Sequence, residues 1–346
     1  MRRLIKRWIA SARAWLKRLL RFRPWRRADQ KGFQAPQREL ISRLLLSFRA
    51  YRLYLPAAVS ARQRLPLLVM LHGCQQDAEV FAEGTRMNEL ADRHDFIVLY
   101  PEQSRTANSF GCWNWFHPAA LRGSGDAGAI ARIVRRVVKH YPVDATRVYV
   151  AGMSAGGAMA SVLAHSHGGL FAACAVHSGL RFGAAVSASS AVVAMRAGAS
   201  PAGEVPLPAA FVPTLVIHGD SDRTVNPVNA AQIIEQAQLA ATAASRALVA
   251  SPARRVANGG RGYELRDYQR DGRVVLRKVV VEKLGHAWSG GDDRHPFNDS
   301  QGPDASRLIW DFVRNFRRLP DGSDAWSRSW RIPWSTIWDR LRRRTP

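Results

Sequence analysis

Short apolar runs alternate with amphipathic stretches along most of the chain. Leu67–Leu71, Phe96–Tyr100, Arg147–Val150, Phe171–Val176 and Thr214–Ile217 are nearly continuous in apolar side chains, many of them branched or aromatic. Runs of that length predict strands buried on both faces, since a half-exposed strand would alternate apolar with polar. Three- and four-residue apolar spacing predicts helices over about Ala78 to His94, over Ala127–His140, from Pro227 onward, and over 305–316. Tyr51–Leu55 does alternate and is closed by Pro56, as an edge strand would be. A longer strand is predicted from Val274 to Lys283. Strands and helices taking turns in this way predict an α/β fold: a mostly parallel central sheet with helices on both faces.

Two stretches interrupt the rhythm. Pro101 to Asp126 reads as a long loop. Residues 183–212, rich in Ala, Ser and Gly, read as an insertion or cap, helical around Ala191–Met195. The globular domain is expected over 51–318, preceded by a linker and helix at 29–50.

The two ends differ in kind from this domain. In residues 1–28, Leu4, Ile5, Trp8, Ile9, Ala12, Trp15, Leu16, Leu19 and Leu20 recur at helical steps, with Arg and Lys between them. Of the net charge of +24, residues 1–31 hold +11 (twelve Lys/Arg against Asp29), and 317–346 hold +5 (eight Arg against three Asp). Seven of the eleven tryptophans lie there too: Trp8, Trp15, Trp25, Trp326, Trp330, Trp334 and Trp338. Basic amphipathic ends of this composition, 1–28 and 319–346, fit an anionic membrane or polymer-granule surface better than a base-reading site, so no specific nucleic acid is expected. Lys6, Arg7, Arg13, Lys17 and Arg18 break every apolar run long enough for a signal peptide or a membrane span, so neither is predicted.

Chemistry concentrates where strands end. Val148–Val150 runs into Gly152-Met153-Ser154-Ala155-Gly156, a serine between two glycines at a strand-to-helix joint. Such a nucleophile elbow lifts the Ser154 oxygen clear of the sheet, and its glycines avoid backbone collisions. Downstream, Thr214–Ile217 ends in His218-Gly219-Asp220-Ser221-Asp222, and Val274–Lys283 delivers Gly285-His286. A serine needs a base to become a nucleophile, and the imidazole needs an acid to fix its tautomer. Ser154, Asp222 and His286 are therefore the expected catalytic triad, with Asp222 preferred over its neighbour Asp220 because it lies further into the loop. Backbone N–H groups of Ala155 and of Cys74, which follows the early strand in His72-Gly73-Cys74, are the expected oxyanion-hole donors. Trp113, Trp115 and Trp288 flank these motifs, either as an apolar wall for substrate or as pins holding the loops. His177 is read as structural. Three cysteines are too few for a disulfide framework. Cys74 and Cys112 can meet if the 101–126 loop folds back, which leaves one bridge or two thiols as alternatives, and Cys174 reads as a core residue. No His/Cys spacing suits a metal, and no cofactor is expected.

These stretches resemble the polyhydroxybutyrate depolymerase family of esterases, within the α/β-hydrolases. The resemblance rests on Leu71-His72-Gly73-Cys74, Tyr100-Pro101-Glu102-Gln103, Gly111-Cys112-Trp113-Asn114-Trp115, Ala151–Gly157, His177-Ser178-Gly179, His218–Asp222 and Gly285–Gly291. It implies a secreted or surface-acting serine esterase cleaving short-chain (poly)hydroxyalkanoate esters, with the triad and oxyanion donors above and tryptophans in substrate contact. Feruloyl and acetyl-xylan esterases share the same pattern. A different class of reading is a granule-, membrane- or polyanion-binding protein built on a hydrolase scaffold, motivated by the basic ends.

Overall fold

The computed structural model describes residues 37–39 and 49–318, except 58, 61, 62, 200–210, 244–246 and 258. The expected N- and C-terminal segments, 1–28 and 319–346, lie outside the described residues. In chain order the first elements are β1 (Gln37–Glu39), β2 (Arg49–Tyr54), β3 (Leu65–Leu71), α1 (Ala78–Thr85), α2 (Met87–His94) and β4 (Ile97–Pro101). Then come α3 (Pro118–Leu121), α4 (Gly125–His140), β5 (Val143–Met153), α5 (Ala155–Ser166), β6 (Ala173–His177) and α6 (Ala188–Ala197). The last are β7 (Thr214–Gly219), α7 (Val228–Ala243), β8 (Val249–Ala250), β9 (Arg254–Val256), β10 (Tyr263–Arg270), β11 (Arg273–Val281), β12 (Trp288–Ser289), β13 (Asn298–Asp299) and α8 (Ala305–Val313).

Among the described residues, eleven strands join in one sheet in the order β1-β2-β4-β3-β5-β6-β7-β11-β10-β8, with β9 also on β10. The six from β4 to β11 run parallel. Their centre is dry: every residue of β3, β4, β6 and β7 is buried. One face packs Val69, Leu71 and Val150 against Ile130, Val134 and Met159 of α4 and α5. The other packs Leu68, Met70 and Ala151 against Phe81, Leu90, Ile309 and Trp310 of α1, α2 and α8. Among the described residues, no helix is long and apolar enough to cross a membrane.

Several expected elements differ in detail. The helix expected over 78–94 is two, because Arg86 takes a left-handed conformation at φ 53° between them. Strand β2 is not outermost, since Gln37, Arg38 and Glu39 pair with Tyr51, Ala50 and Arg49. Within 29–50, read as linker and helix, the described residues are therefore strand. Residues 263–270, which no apolar run marks, form β10 and pair with β11 across an Asp271-Gly272 turn with φ of 50° and 72°. Positive φ at both central residues is the two-residue hairpin turn that an Asp-Gly pair favours.

The helix in the insertion, α6, opens with a capping box between Ser187 and Ser190. It is tied to the start of α7: Asn226 N–H donates to Met195 O at 2.7 Å, and Asn229 Nδ2 donates to Ala194 O at 3.0 Å. Gln232 closes a pair of bonds with the Ala199 backbone, both 2.8 Å. Val186, Val192 and Val193 face outward.

Candidate active site

Strand β5 passes directly into helix α5 through Ser154, whose φ of 57° and ψ of −121° lie where side-chain-bearing residues rarely sit. The surrounding backbone enforces the turn. A Cβ on Gly152 would strike the Gly156 carbonyl, and one on Gly156 would strike the Leu71 and His72 carbonyls. The two glycines thus let β3, β5 and α5 approach more closely than any other residue permits. Ser154 N–H donates to His177 O at 3.0 Å, which holds the elbow to β6. Its side chain makes no capping bond to α5, so the hydroxyl is not spent on the helix.

Asp222 and His286 follow two adjacent parallel strands, β7 and β11. Their following loops are cross-tied: Asp220 N–H donates to Val281 O (3.1 Å), Ser221 N–H donates to Leu284 O (3.1 Å), and Lys283 N–H donates to Asp220 Oδ1 (2.7 Å). This clamp sets Asp222 Oδ2 2.7 Å from His286 Nδ1. The other oxygen, Asp222 Oδ1, accepts the Thr224 and Val225 N–H groups, both at 2.9 Å. Burial alone would raise the Asp222 pKa, but the His286 hydrogen bond and charge, the Val225 N–H and nearby His218 together hold it below the usual carboxylate range. An ionised Asp222 keeps the proton on Nδ1 of His286 and leaves Nε2 as the basic nitrogen. Asp220 is exposed and serves the clamp; Asp222 is the residue that meets the imidazole. Among the described residues no hydrogen bond joins His286 to Ser154.

The loop after β3 lies against the elbow. A Cβ on Gly73 would sit 3.5 Å from Ser154 Cβ. Gly73 N–H is occupied by Gln76 Oε1 at 2.9 Å, whereas the N–H groups of Cys74 and Ala155 donate to no acceptor among the described residues. Two unspent backbone donors beside a serine, one at a helix N-terminus, suit a developing oxyanion. A disulfide joins Cys74 to Cys112, bringing the 101–126 loop back over β3. Cys174 is a buried free thiol.

The three tryptophans expected to flank the site are buried. Trp113, Trp115 and Trp288 are 1%, 3% and 1% exposed. Trp113 Nε1 donates to His72 O at 3.1 Å, Trp115 packs edge-on against Phe116, and Trp288 stacks on His177 with Nε1 donating to Ser306 Oγ. All three are thus packed into the core beneath the loops. The exposed large apolar side chain on the 101–126 loop is Phe110, whose carbonyl accepts Gln75 N–H beside Cys74. No role is read from the sequence for three buried polar residues behind the loops, Gln76, Gln103 and Asp126, although Gln103 stands in one of the stretches that carry the resemblance. Among the described residues, no group of three or more His, Cys, Asp and Glu is placed to hold a metal ion.

His177 is fully buried, and its Nε2 accepts Ser289 N–H at 3.2 Å. Burial, reinforced by nearby His218 and His286 and opposed by Asp222, pushes its pKa down to about 3. An unfolded histidine binds its proton near pH 6.5, so below that pH the unfolded chain takes up a proton that the fold refuses. Stability contributed by the neutral ring is present above pH 6.5 and is lost as pH falls toward 3, by about 3 kcal/mol near pH 4. Thermal melts from pH 7 to pH 4 are expected to fall less steeply for His177→Gln, which keeps an acceptor for Ser289 but does not titrate. Parallel slopes for the two proteins would refute this.

Residues 49–259 match the family described as Esterase PHB depolymerase. Poly(3-hydroxyalkanoate) depolymerase C of Paucimonas lemoignei is 36% identical over 187 residues, 49% of this chain and 44% of that protein. Feruloyl esterase B of Neurospora crassa is 36% identical over 140 residues, 40% of this chain and 46% of that protein. The chain thus spans about half the length of the curated relatives it matches. Among solved structures, an acetyl xylan esterase from Aspergillus awamori superposes with a TM-score of 0.53 at 23% identity, covering 69% of this chain and 89% of that one. This is a likeness of α/β-hydrolase fold.

Proposed function

The chain belongs to the esterase PHB depolymerase family, and from that premise we propose that it is a serine esterase hydrolysing short-chain (poly)hydroxyalkanoate-type carboxylic esters. The observation that carries the reading is the 2.7 Å Asp222–His286 pair, held after strands β7 and β11 of the same parallel sheet whose β5 ends in the strained serine elbow. In this reading His286 Nε2 takes the Ser154 proton as Oγ attacks the ester carbonyl. The carbonyl oxygen gains the electron pair and is met by the Cys74 and Ala155 N–H groups. The tetrahedral species collapses, the C–O bond to the alcohol breaks, and His286 returns the proton to the departing oxygen. Water then repeats the sequence on the acyl-Ser154 ester, releasing the acid and restoring the serine. Asp222 stays ionised throughout and stabilises the imidazolium.

The hydroxyalkanoate assignment is supported by the poly(3-hydroxyalkanoate) depolymerase named among the relatives. The feruloyl and acetylxylan esterases named beside it favour a second reading, in which the acyl group is aromatic or acetyl. A panel separates them: p-nitrophenyl butyrate, amorphous polyhydroxybutyrate, methyl ferulate and acetylated xylan, assayed on one preparation. Butyrate and polymer are expected to be hydrolysed fastest; faster turnover of ferulate or xylan would replace the substrate assignment. The basic, Trp-rich ends add a proposed surface partner, an anionic membrane or a polymer granule. Running the panel with residues 1–28 removed tests it. Hydrolysis of the particulate polymer should drop while the soluble ester is unaffected, and equal polymer activity would remove the anchor.

A further inference from the structure

Behind the Cys74 loop lies a buried polar chain that the proposed chemistry does not use directly. Gln103 is 4% exposed and Asp126, in the first turn of α4, is 6% exposed. Gln103 Nε2 donates to Asp126 Oδ2 at 2.6 Å and to Cys112 O at 3.0 Å. The backbone N–H of Gln103 donates to His72 Nε2 at 3.1 Å, and His72 Nδ1–H in turn donates to Gly73 O at 2.7 Å. Asp126 Oδ2 also accepts from Asn114, from N at 3.0 Å and from Nδ2 at 3.3 Å.

The connectivity grips the Cys74 loop at two points. On one side Gln103 holds the His72 ring, and through it the Gly73 carbonyl that belongs to the same peptide unit as Cys74 N–H. On the other it holds the carbonyl of Cys112, whose sulfur is bonded to Cys74. Asp126 fixes Gln103. A carboxylate buried this deeply costs several kcal/mol unless its acceptors are filled, so core packing alone would favour an apolar residue there. What three donors converging on one oxygen supply is a fixed direction. An oxyanion hole depends on direction, because its donors gain their effect from being aimed before the charge develops.

We propose that Asp126 is a positioning residue for the reaction, acting through Gln103 to aim the Cys74 N–H at the oxyanion. The inference rests on the reading of Cys74 as an oxyanion donor. Replacing Asp126 with alanine lowers kcat on a soluble ester by about 10- to 100-fold, the range expected for a misaimed donor, and leaves KM within about twofold. Affinity for a butylboronic acid, whose serine adduct places an oxygen in the same hole, weakens by the same factor. Asp126→Asn, whose carbonyl still accepts from Gln103, recovers most of the loss.

The measurements are kcat, KM and boronate affinity on the full chain, with circular dichroism to check folding. A kcat within about twofold of the parent overturns the proposal, as does a fall in kcat with boronate affinity intact. Gln103→Met, which keeps the length of the side chain and drops its amide, makes the same reading if Asp126→Ala does not fold. Failure of both to fold would make the chain a stability element and also overturn it. Failure of the underlying site reading looks different, since activity would then survive Ser154→Ala in an otherwise unaltered protein.

Discussion

Ser154→Ala is expected to lower kcat/KM on p-nitrophenyl butyrate by about 10⁵-fold or more while leaving the thermal melt where it was. The size follows from removing the one atom that forms the acyl bond, which in comparable serine hydrolases collapses the whole relay and leaves only what binding and oxyanion donors contribute. The unchanged melt follows from what the substitution spares. Alanine keeps the Cβ and must adopt the same φ of 57°, so the strain of the turn is common to both proteins. The hydroxyl caps nothing, and the bonds that fix the turn, Ser154 N–H to His177 O and Ala158 N–H to Ser154 O, are backbone. Turnover above about 1% of the parent would show that another group attacks the ester. A large drop in melting temperature would show that the hydroxyl had a structural partner.

Asp222→Asn should cost about 10⁴-fold in kcat, and the geometry says why an isosteric change is so damaging. The Thr224 and Val225 N–H groups both point at Oδ1, so the amide oxygen of asparagine takes that position. The NH2 group is thereby left where Oδ2 stood, 2.7 Å from His286 Nδ1. A donor there forces Nδ1 to accept, which moves the ring proton to Nε2 and removes the base. Asp220→Asn is the informative partner experiment. Its Oδ1 accepts from Lys283 N–H and Ser221 Oγ, and an asparagine carbonyl can do the same. Its kcat should stay within about threefold of the parent, since only an exposed clamp bond changes. Equal losses at the two positions would contradict the assignment of roles, as would a larger loss at 220.

Much of this was legible in the residue order, for identifiable reasons. A strand buried on both faces has no choice but continuous apolar residues, so β3, β4, β6 and β7 announce themselves. The elbow is legible because the crowding of Gly152 and Gly156 leaves no alternative residue. What was missed had weaker signals. In β10, Tyr-Glu-Leu-Arg-Asp-Tyr-Gln-Arg, the alternation begun by Tyr263 and Leu265 breaks at Asp267, and the Asp271-Gly272 turn is the signal that betrays the hairpin. Arg86 splits a continuous helical pattern because a single left-handed residue changes no periodicity. Burial of the tryptophans depends on helices far away in sequence: Trp288 reaches Phe81 and Ser306, which no local pattern brings together. The roles of Gln103 and Asp126 were illegible for the same reason, their meaning lying in partners 9 to 31 residues away.

The anchoring of α6 has a consequence for how such a protein can diversify. Its bonds go to Asn226, Asn229 and Gln232 at the head of α7, and the proposed triad and oxyanion groups all come from outside 178–212. Among the described residues, the segment between β6 and β7 is nonetheless fastened to the supports of the proposed centre: Asn226, which Met195 O holds, directly follows the Val225 whose N–H meets Asp222, and Phe182 stacks on His165 of α5. A lineage that varies this segment keeps those supports only if it keeps Phe182 and the Met195–Asn226 bond, whereas a graft from Gly179 to Pro213 would remove both.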